Sequence, residues 1–254
     1  MGIPSQISIR RFESLDSTNE EALRRLAAGE APPFWIVADS QTRGRGRSGR
    51  RWTSPKGNLY ATLTIETQVS APIATQLSFV AALAVYDAVA RHLPADQLPR
   101  LRLKWPNDLI LGGAKLAGIL LESVASPKRW GRAVILGIGV NVALAPTEKE
   151  RAVASLDLAP SAVTDVFASL AAAIDAWLAQ WNEGRGFAPI REAWLSRALA
   201  LNESISVNLN GPALRGRFRG VDATGALQLE TEPGVVITVT AGDIYPDTLV
   251  QPEN

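Results

Sequence analysis

The pattern of apolar residues changes abruptly near Asn202, and that change constrains the fold more than any other feature. Downstream come four short stretches that read as strands: Ser204–Leu209, Ala213–Val221, Ala226–Glu230 and Val235–Thr240. Turn signals separate them, at Asn210-Gly211, at Asp222-Ala223-Thr224-Gly225 and at Glu232-Pro233-Gly234. Strands this short and this closely spaced predict a small closed barrel. Upstream, strands and longer helical stretches mix in an α+β pattern. Strands are expected at Ile7–Phe12, Phe34–Asp39, Leu59–Glu66, Leu101–Trp105, Lys115–Val124 and Arg132–Val142. Helices are expected at Ser17–Ala28, from Pro72 to about Leu93, near Ser161–Asn182 and at Phe187–Leu201. At 254 residues the chain accommodates one large domain over 1–201 and a small one over 202–254.

Ser17 followed by Glu20 fits a capping box at a helix start. Pro106 ends the strand before it by removing a backbone donor. Trp177, Trp181 and Trp194 read as core or inter-helix packing.

Composition excludes several chemistries. The chain has no cysteine, so disulfides, thiolate catalysis and cysteine-bound metal are ruled out. A single histidine, His92, rules out a multi-histidine metal site; it sits at a helix end, where a surface or capping role is the expectation. Charge is balanced, 26 Lys+Arg against 25 Asp+Glu, which gives no bulk attraction to a polyanion. Met1–Gln6 lacks the pattern of a signal peptide, and Asp87 interrupts the apolar run Phe79–Ala90. No stretch approaches the roughly twenty apolar residues that span a bilayer, so the expectation is a soluble, cytoplasmic protein without a membrane partner.

Within this composition lysine is scarce: Lys56, Lys104, Lys115, Lys128 and Lys149 are the whole set. Two of them fall in one run, Lys104-Trp105-Pro106-Asn107-Asp108-Leu109-Ile110-Leu111-Gly112-Gly113-Ala114-Lys115-Leu116-Ala117-Gly118. A lysine kept where arginine is the default supplies a compact, mobile ammonium that a planar guanidinium cannot replace. Point cations, a carboxylate and close-approach backbone together suit an anion-handling site. Asn107-Asp108 has two readings, a self-capping turn and a direct role in chemistry.

Upstream, Gly44-Arg45-Gly46-Arg47-Ser48-Gly49-Arg50-Arg51-Trp52-Thr53-Ser54-Pro55 spaces fork-shaped donors on a mobile backbone. By itself this stretch fits a solvated basic loop, a segment that touches nucleic acid, or a lid over an anionic ligand. The nucleic-acid reading lacks interleaved aromatic residues, since only Trp52 is near.

Taken together, the motifs resemble those of the biotin protein ligases. The resemblance rests on Ser17-Thr18-Asn19, Gln41 with the Gly44–Trp52 loop, Gly57-Asn58-Leu59-Tyr60, Lys104–Asp108, Lys115–Leu120 and Gly137-Ile138-Gly139-Val140-Asn141, in the family's order. It implies a mixed-sheet catalytic domain like that of class II aminoacyl-tRNA synthetases, followed by an SH3-like barrel. It implies an enzyme that joins biotin to ATP as biotinyl-5′-AMP and then transfers biotin to a lysine of a biotin carboxyl carrier domain. Magnesium would accompany ATP. Some relatives carry an N-terminal DNA-binding module; the sixteen residues before Ser17 are too few for one, so a ligase-only class without DNA binding is the expectation.

Carried over residue by residue, the resemblance assigns Ser17, Thr18, Asn19, Gln41, Gly44, Arg45, Gly46, Arg47, Lys115 and Gly118 to biotin. Arg45, Arg47, Arg50, Trp52, Lys104, Asn107, Lys115 and Asn141 go to ATP and the adenylate. Lys115, Arg47 and Asp108 are the expected catalytic residues, with Asp108 as a candidate magnesium ligand or as the group orienting Lys115. Ser48 stands where some relatives have a third arginine. The loop from Gly44 to Arg51 is expected to be mobile when empty, and a covering segment over adenosine falls near Ala143–Leu158. Octanoyl transferases share the implied fold but use a cysteine that is absent here, and lipoate ligases resemble a different motif pattern.

Overall fold

The computed structural model describes residues 7–125, 131–148, 151–208 and 213–247. Lys128, Lys149, Leu209 and the Asn210-Gly211 turn lie outside the described residues.

Seven strands form one mixed sheet: β1 (Ser8–Phe12), β2 (Phe34–Ala38), β3 (Leu59–Thr67), β4 (Leu101–Lys104), β5 (Asp108–Leu111), β6 (Ala114–Ala125) and β7 (Arg132–Val140). Their order is β1-β2-β3-β7-β6-β5-β4, with β1 and β2 parallel and the other ladders antiparallel. Every residue of β2, Phe-Trp-Ile-Val-Ala, is buried because both sheet faces are covered. Alternation sends Phe34 and Ile36 toward α1 (Thr18–Ala27), where Ala22 and Leu26 meet them. Trp35 and Val37 face the larger core on the other side, under α3 (Leu77–Ala90) and α4 (Val163–Trp181). Trp35 meets Phe167 edge-on at 5.3 Å between ring centroids.

The helix expected from Pro72 to Leu93 is broken into α2 (Ala71–Ala74) and α3. Gln76, 2% exposed, occupies the break. Its Nε2 donates to Ala223 O at 2.9 Å, and its Oε1 accepts from Trp181 Nε1 at 2.8 Å. A buried amide with both ends bonded fixes this joint to α4 and to the C-terminal part of the chain. Ala71–Ala90 and Pro160–Trp181 are long and apolar enough to cross a membrane by length and composition, contrary to the expectation. Both pack into the core, α3 on nearly all sides and α4 along the stripe Val166, Phe167, Leu170, Ile174, Leu178 and Trp181. Trp181 and Trp194, the latter on α5 (Phe187–Leu195), are buried as expected.

Lys104 and Asp108 are cross-strand partners in a β4–β5 hairpin. Asp108 therefore opens a strand and is no part of a self-capping turn; the strand is only four residues long, too short to read from its pattern.

The C-terminal sheet has five strands, one more than expected: β8 (Ser204–Asn208), β9 (Leu214–Val221), β10 (Leu227–Glu232), β11 (Val235–Val239) and β12 (Asp243–Pro246). Their order is β11-β10-β9-β8-β12, and among the described residues no ladder joins β11 to β12. The SH3-like barrel is thus curled around Ile205, Val207, Phe218, Leu227, Leu229 and Ile244 without a closing ladder. These residues join the core of the main sheet. Trp105 Nε1 donates to Gly225 O at 3.0 Å across that junction. Gly225 has φ +88 and lies against Phe79, whose Cε2 is 2.4 Å from where a Cβ would stand, so no larger residue fits.

Candidate active site

An open cleft lies on the face of the main sheet covered by α1. It gathers most of the residues singled out from sequence: Ser17, Thr18, Asn19, Gln41, Arg45, Gly46, Arg47, Arg50, Trp52, Asn107, Asp108, Lys115 and Gly118 all line it.

One corner is the start of α1. Ser17 is the N-cap, but its side chain makes no capping hydrogen bond, so the expected capping box is absent. Asp16 instead braces the cap residue, its Oδ1 accepting from the Ser17 amide at 2.8 Å. Bidentate hydrogen bonds from Arg24 hold the Asp16 carboxyl well below the usual carboxylate range. Gln41 Oε1 accepts from the Thr18 amide at 2.9 Å and from its hydroxyl at 3.2 Å. Asn19 Oδ1 accepts from Thr62 Oγ1, and Asn19 Nδ2 donates to Glu122 Oε2, both at 2.7 Å. Three consecutive polar residues are thereby buried and held in place beside the cleft.

The floor is made of glycines on β6 and β7, where Gly118 and Gly139 are cross-strand neighbours. A Cβ on Gly137 would stand 2.3 Å from Asn19 Oδ1, and one on Gly139 would stand 2.7 Å from the Trp52 indole. A Cβ on Gly118 would meet Trp52 at 3.0 Å and the end of Lys115 at 3.2 Å. Only residues without a side chain let Asn19, Trp52 and Lys115 approach this sheet.

The arginine-glycine loop arches over the cleft. The Gly46 amide donates to Arg50 O at 2.7 Å and the Trp52 amide to Gly44 O at 2.9 Å. Between them Ser48 and Gly49 turn the chain with φ of 54 and 71. Gly44 is not in the cleft wall: a Cβ there would stand 2.5 Å from Trp52 O, so it serves closure of the arch. Each cleft-lining arginine of the expected set meets a carboxylate. Arg45 pairs with Glu20 and, at 3.4 Å, with Glu122. Arg47 and Arg50 both pair with Asp243 on β12.

Lys115 lies at the centre. Its Nζ is 2.5 Å from Asp108 Oδ1, an atom with no other polar partner, and 5.2 Å above the Trp52 ring. Burial pushes the Lys115 ammonium below its usual pKa, against the opposing pull of Asp108. An incoming carboxylate or phosphate would favour the charged form again. The lysine backbone is held by 152–154, with the Lys115 amide donating to Ala152 O and the Ala154 amide to Lys115 O, each at 2.9 Å. Asn107 Nδ2 donates to Ile119 O at 2.5 Å, and its Oδ1 accepts from Arg47 at 3.4 Å.

Two expected contacts stand back from the cleft. Lys104 is half-buried with its Nζ 4.8 Å over the Tyr245 ring, and desolvation lowers its pKa against the attraction of Asp108 and Asp243. Asn141, 1% exposed, borders a smaller cavity with Trp52, Lys115, Pro146 and Glu148. Its Nδ2 donates to Ala154 O at 2.9 Å, which holds the segment beside Lys115. Sequence reasoning did not single out Arg151 or Asp243 in the cleft wall: Arg151 is one of a run of charges within the segment expected to cover adenosine, and Asp243 lies outside any motif. It also gave no role to Asn58, whose Oδ1 accepts from the Val142, Ala143 and Leu144 amides at 2.9 to 3.0 Å.

Among the described residues no group of three histidine, cysteine, aspartate or glutamate side chains could hold a metal. Asp108, the candidate magnesium ligand, is committed to Lys115.

The sequence profile of the biotin/lipoate A/B protein ligase family matches residues 11–141, and that of the biotin protein ligase C-terminal domain matches residues 200–245. The chain belongs to the biotin/lipoate A/B protein ligase family and is an enzyme of the ligase class. Within that family its likeness is to the biotin protein ligases. It is 44% identical over 240 residues to the biotin–[acetyl-CoA-carboxylase] ligase of Paracoccus denitrificans, covering 91% of this chain and 97% of that one. Among solved structures, the biotin protein ligase of Aquifex aeolicus in complex with biotin and ATP superposes with a TM-score of 0.76 at 25% identity, over 94% of this chain and 97% of that one. The Leishmania major biotin protein ligase bound to biotinyl-5-AMP superposes with a TM-score of 0.64 at 27% identity, over 94% and 100%.

Proposed function

We propose that the chain condenses biotin with ATP to biotinyl-5′-AMP and transfers the biotinyl group to a lysine of a biotin carboxyl carrier domain. The observation that carries this reading is the cleft itself. A polar corner, a glycine floor and a cluster of cations face one another in a chain 44% identical to a biotin–[acetyl-CoA-carboxylase] ligase.

In the first step a biotin carboxylate oxygen bonds to the α-phosphorus of ATP, and the bond to the β-phosphate bridging oxygen breaks to release pyrophosphate. Both reactants are anions, so preorganised positive charge lowers the barrier. Lys115 reaches between the carboxylate and the α-phosphate, and Asp108 orients it until they arrive. Arg45, Arg47 and Arg50 neutralise the remaining oxygens, with Asn107 positioning Arg47. Ser17, Thr18, Asn19 and Gln41 present polar groups to the ureido ring, and Trp52 covers the adenylate with a buried Nε1 that has no partner in the protein. In the second step the carrier lysine nitrogen attacks the biotinyl carbonyl carbon and AMP leaves. The arch keeps water from the mixed anhydride meanwhile.

Magnesium fits as a companion of ATP. Magnesium sites of this kind take one or two protein carboxylates and draw other ligands from phosphates and water; bound there, it neutralises phosphate charge. Asp108 is the residue that would hold it, offering a carboxylate oxygen once Lys115 turns to the substrate. The division at Leu201/Asn202, the carrier partner and a cytoplasmic setting belong to the same reading.

Exchange of labelled pyrophosphate into ATP tests the first step without a carrier. Exchange that requires biotin is expected. Exchange supported by lipoate or octanoate and not by biotin would overturn the substrate assignment.

A further inference from the structure

The cleft is built almost wholly from the first part of the chain, yet one wall comes from the last strand of the C-terminal sheet. Asp243 opens β12, and its backbone is held in register opposite Asn208 on β8. Its two carboxylate oxygens are divided between two cations of the arch, Oδ1 toward Arg47 and Oδ2 toward Arg50. The neighbouring Gly242 O accepts from Arg47 Nη1 at 3.2 Å, and Asn107 Oδ1 accepts from the same nitrogen at 3.4 Å. All these partners gather on one nitrogen of Arg47. A guanidinium carries five N–H donors in a rigid fork, so its remaining edge stays available to an anion in the cleft.

Two guanidiniums brought together repel, and glycines on either side leave the arch little stiffness to resist that repulsion. A carboxylate shared between them offsets the repulsion and leaves one net positive charge at the pair. Burial alone would raise the Asp243 carboxyl, but the hydrogen bond and charge of Arg50, with Arg47 and Lys104, outweigh it and hold the group below its usual pKa. It therefore stays an anion at neutral pH.

We propose that Asp243 is a positioning residue for the adenylation step: it bridges Arg47 and Arg50 so that the C-terminal sheet holds the arch closed, with the guanidinium forks set for the phosphates. This rests on the reading that Arg47 and Arg50 bind the substrate anions. It assigns the C-terminal sheet a part in catalysis carried by one side chain. The competing geometry is a carboxylate that occupies the phosphate position and must be expelled, and the two make opposite predictions.

The test is pyrophosphate exchange at varied ATP on the full chain carrying Asp243→Asn, Asp243→Glu, Arg50→Ala or the Asp243→Asn/Arg50→Ala pair. A positioning role predicts a KM for ATP raised about tenfold in Asp243→Asn, the scale of one lost charge-assisted hydrogen bond. The turnover number should change far less, and the thermal midpoint should fall only slightly. Asp243→Glu, which keeps the charge, should recover most of the loss. The pair should lose less than the sum of the two single changes, because both break the Arg50–Asp243 contact while only Asp243→Asn also releases Arg47. A KM for ATP that falls in Asp243→Asn would overturn the proposal in favour of competition. An unchanged KM, or full additivity in the pair, would also overturn it. If Arg47→Ala and Arg50→Ala themselves leave the KM for ATP unchanged, the anion-binding reading fails and takes this proposal with it. If they raise it while Asp243→Asn does not, only this proposal fails.

Discussion

The floor of the cleft and the arch above it hold their shapes by different physics. On the floor, Gly118, Gly137 and Gly139 are fixed in the centre of a seven-stranded sheet, and what approaches them is decided by the absence of a Cβ. In the arch, Arg45, Arg47 and Arg50 are held mainly by ion pairs at partly exposed positions. Steric exclusion in a packed sheet does not relax, whereas ion pairs near water exchange partners readily. The floor therefore suits selection of a substrate by shape, and the arch suits temporary retention of a reactive intermediate.

The largest effect is expected where the floor is altered. Gly137→Ala places a methyl 2.3 Å from Asn19 Oδ1, so Asn19 must leave Thr62 and Glu122 or the strand must shift. Overpacking of this kind costs about 1–3 kcal/mol. Both a lower unfolding temperature and loss of biotin-dependent exchange are expected; a fully active, equally stable variant would refute the view of the floor as rigid. Lys115→Arg comes next. It retains charge but replaces a compact ammonium with a planar fork, and exchange should fall about 100-fold or more, as for a lost electrostatic group at a reacting centre, with stability little changed. Arg47→Gly should do less to exchange and more to retention. The adenylate forms but escapes, and mass spectrometry should find biotin on lysines of bystander proteins. The reverse pattern, an active Lys115→Arg with an Arg47→Gly unable to exchange, would interchange the roles of centre and arch.

The smallest effect is a pH dependence confined to the arch. Asp243 has a lowered pKa in the folded protein, so its contribution is complete above the usual carboxylate value. It is lost as pH falls through the lower folded value. Protection of Gly46–Arg50 from a protease, in the protein without ligand, should persist through the usual carboxylate range, about pH 4, and be lost only further into acid. Asp243→Asn should lack protection at every pH. Cleavage that ignores both pH and the substitution would show that backbone bonds alone hold the arch.

The sequence made the charge-bearing motifs readable because they are local. Lys115 and the arginines stand out against composition, and Ser17-Thr18-Asn19 marks a helix start in the sequence, although Gln41, from a distant segment, is what holds its first amide. The three floor glycines lay within quoted motifs, but their partners did not: nothing local pairs Gly137 with Asn19 or Gly139 with Trp52. Asp243 was illegible for a similar reason. Its strand, Asp-Ile-Tyr-Pro, is four residues long and ends in proline, and its partners lie nearly two hundred positions upstream. The break at Gln76 falls in a short polar interruption, Thr75-Gln76 with Ser78, of an otherwise apolar stretch, and nothing local tells that Gln76 bonds to distant segments and ends one helix there.

The junction around Trp105, Phe79 and Gly225 has a consequence for how the molecule comes apart. Because the indole of Trp105 donates to Gly225 O and Phe79 fills the space at that glycine, neither sheet can melt without stripping buried aromatic surface from the other. Heating should therefore give a single calorimetric peak whose van't Hoff and calorimetric enthalpies agree. Severing the chain near Asn202 should leave two fragments that recover a native spectrum only when mixed.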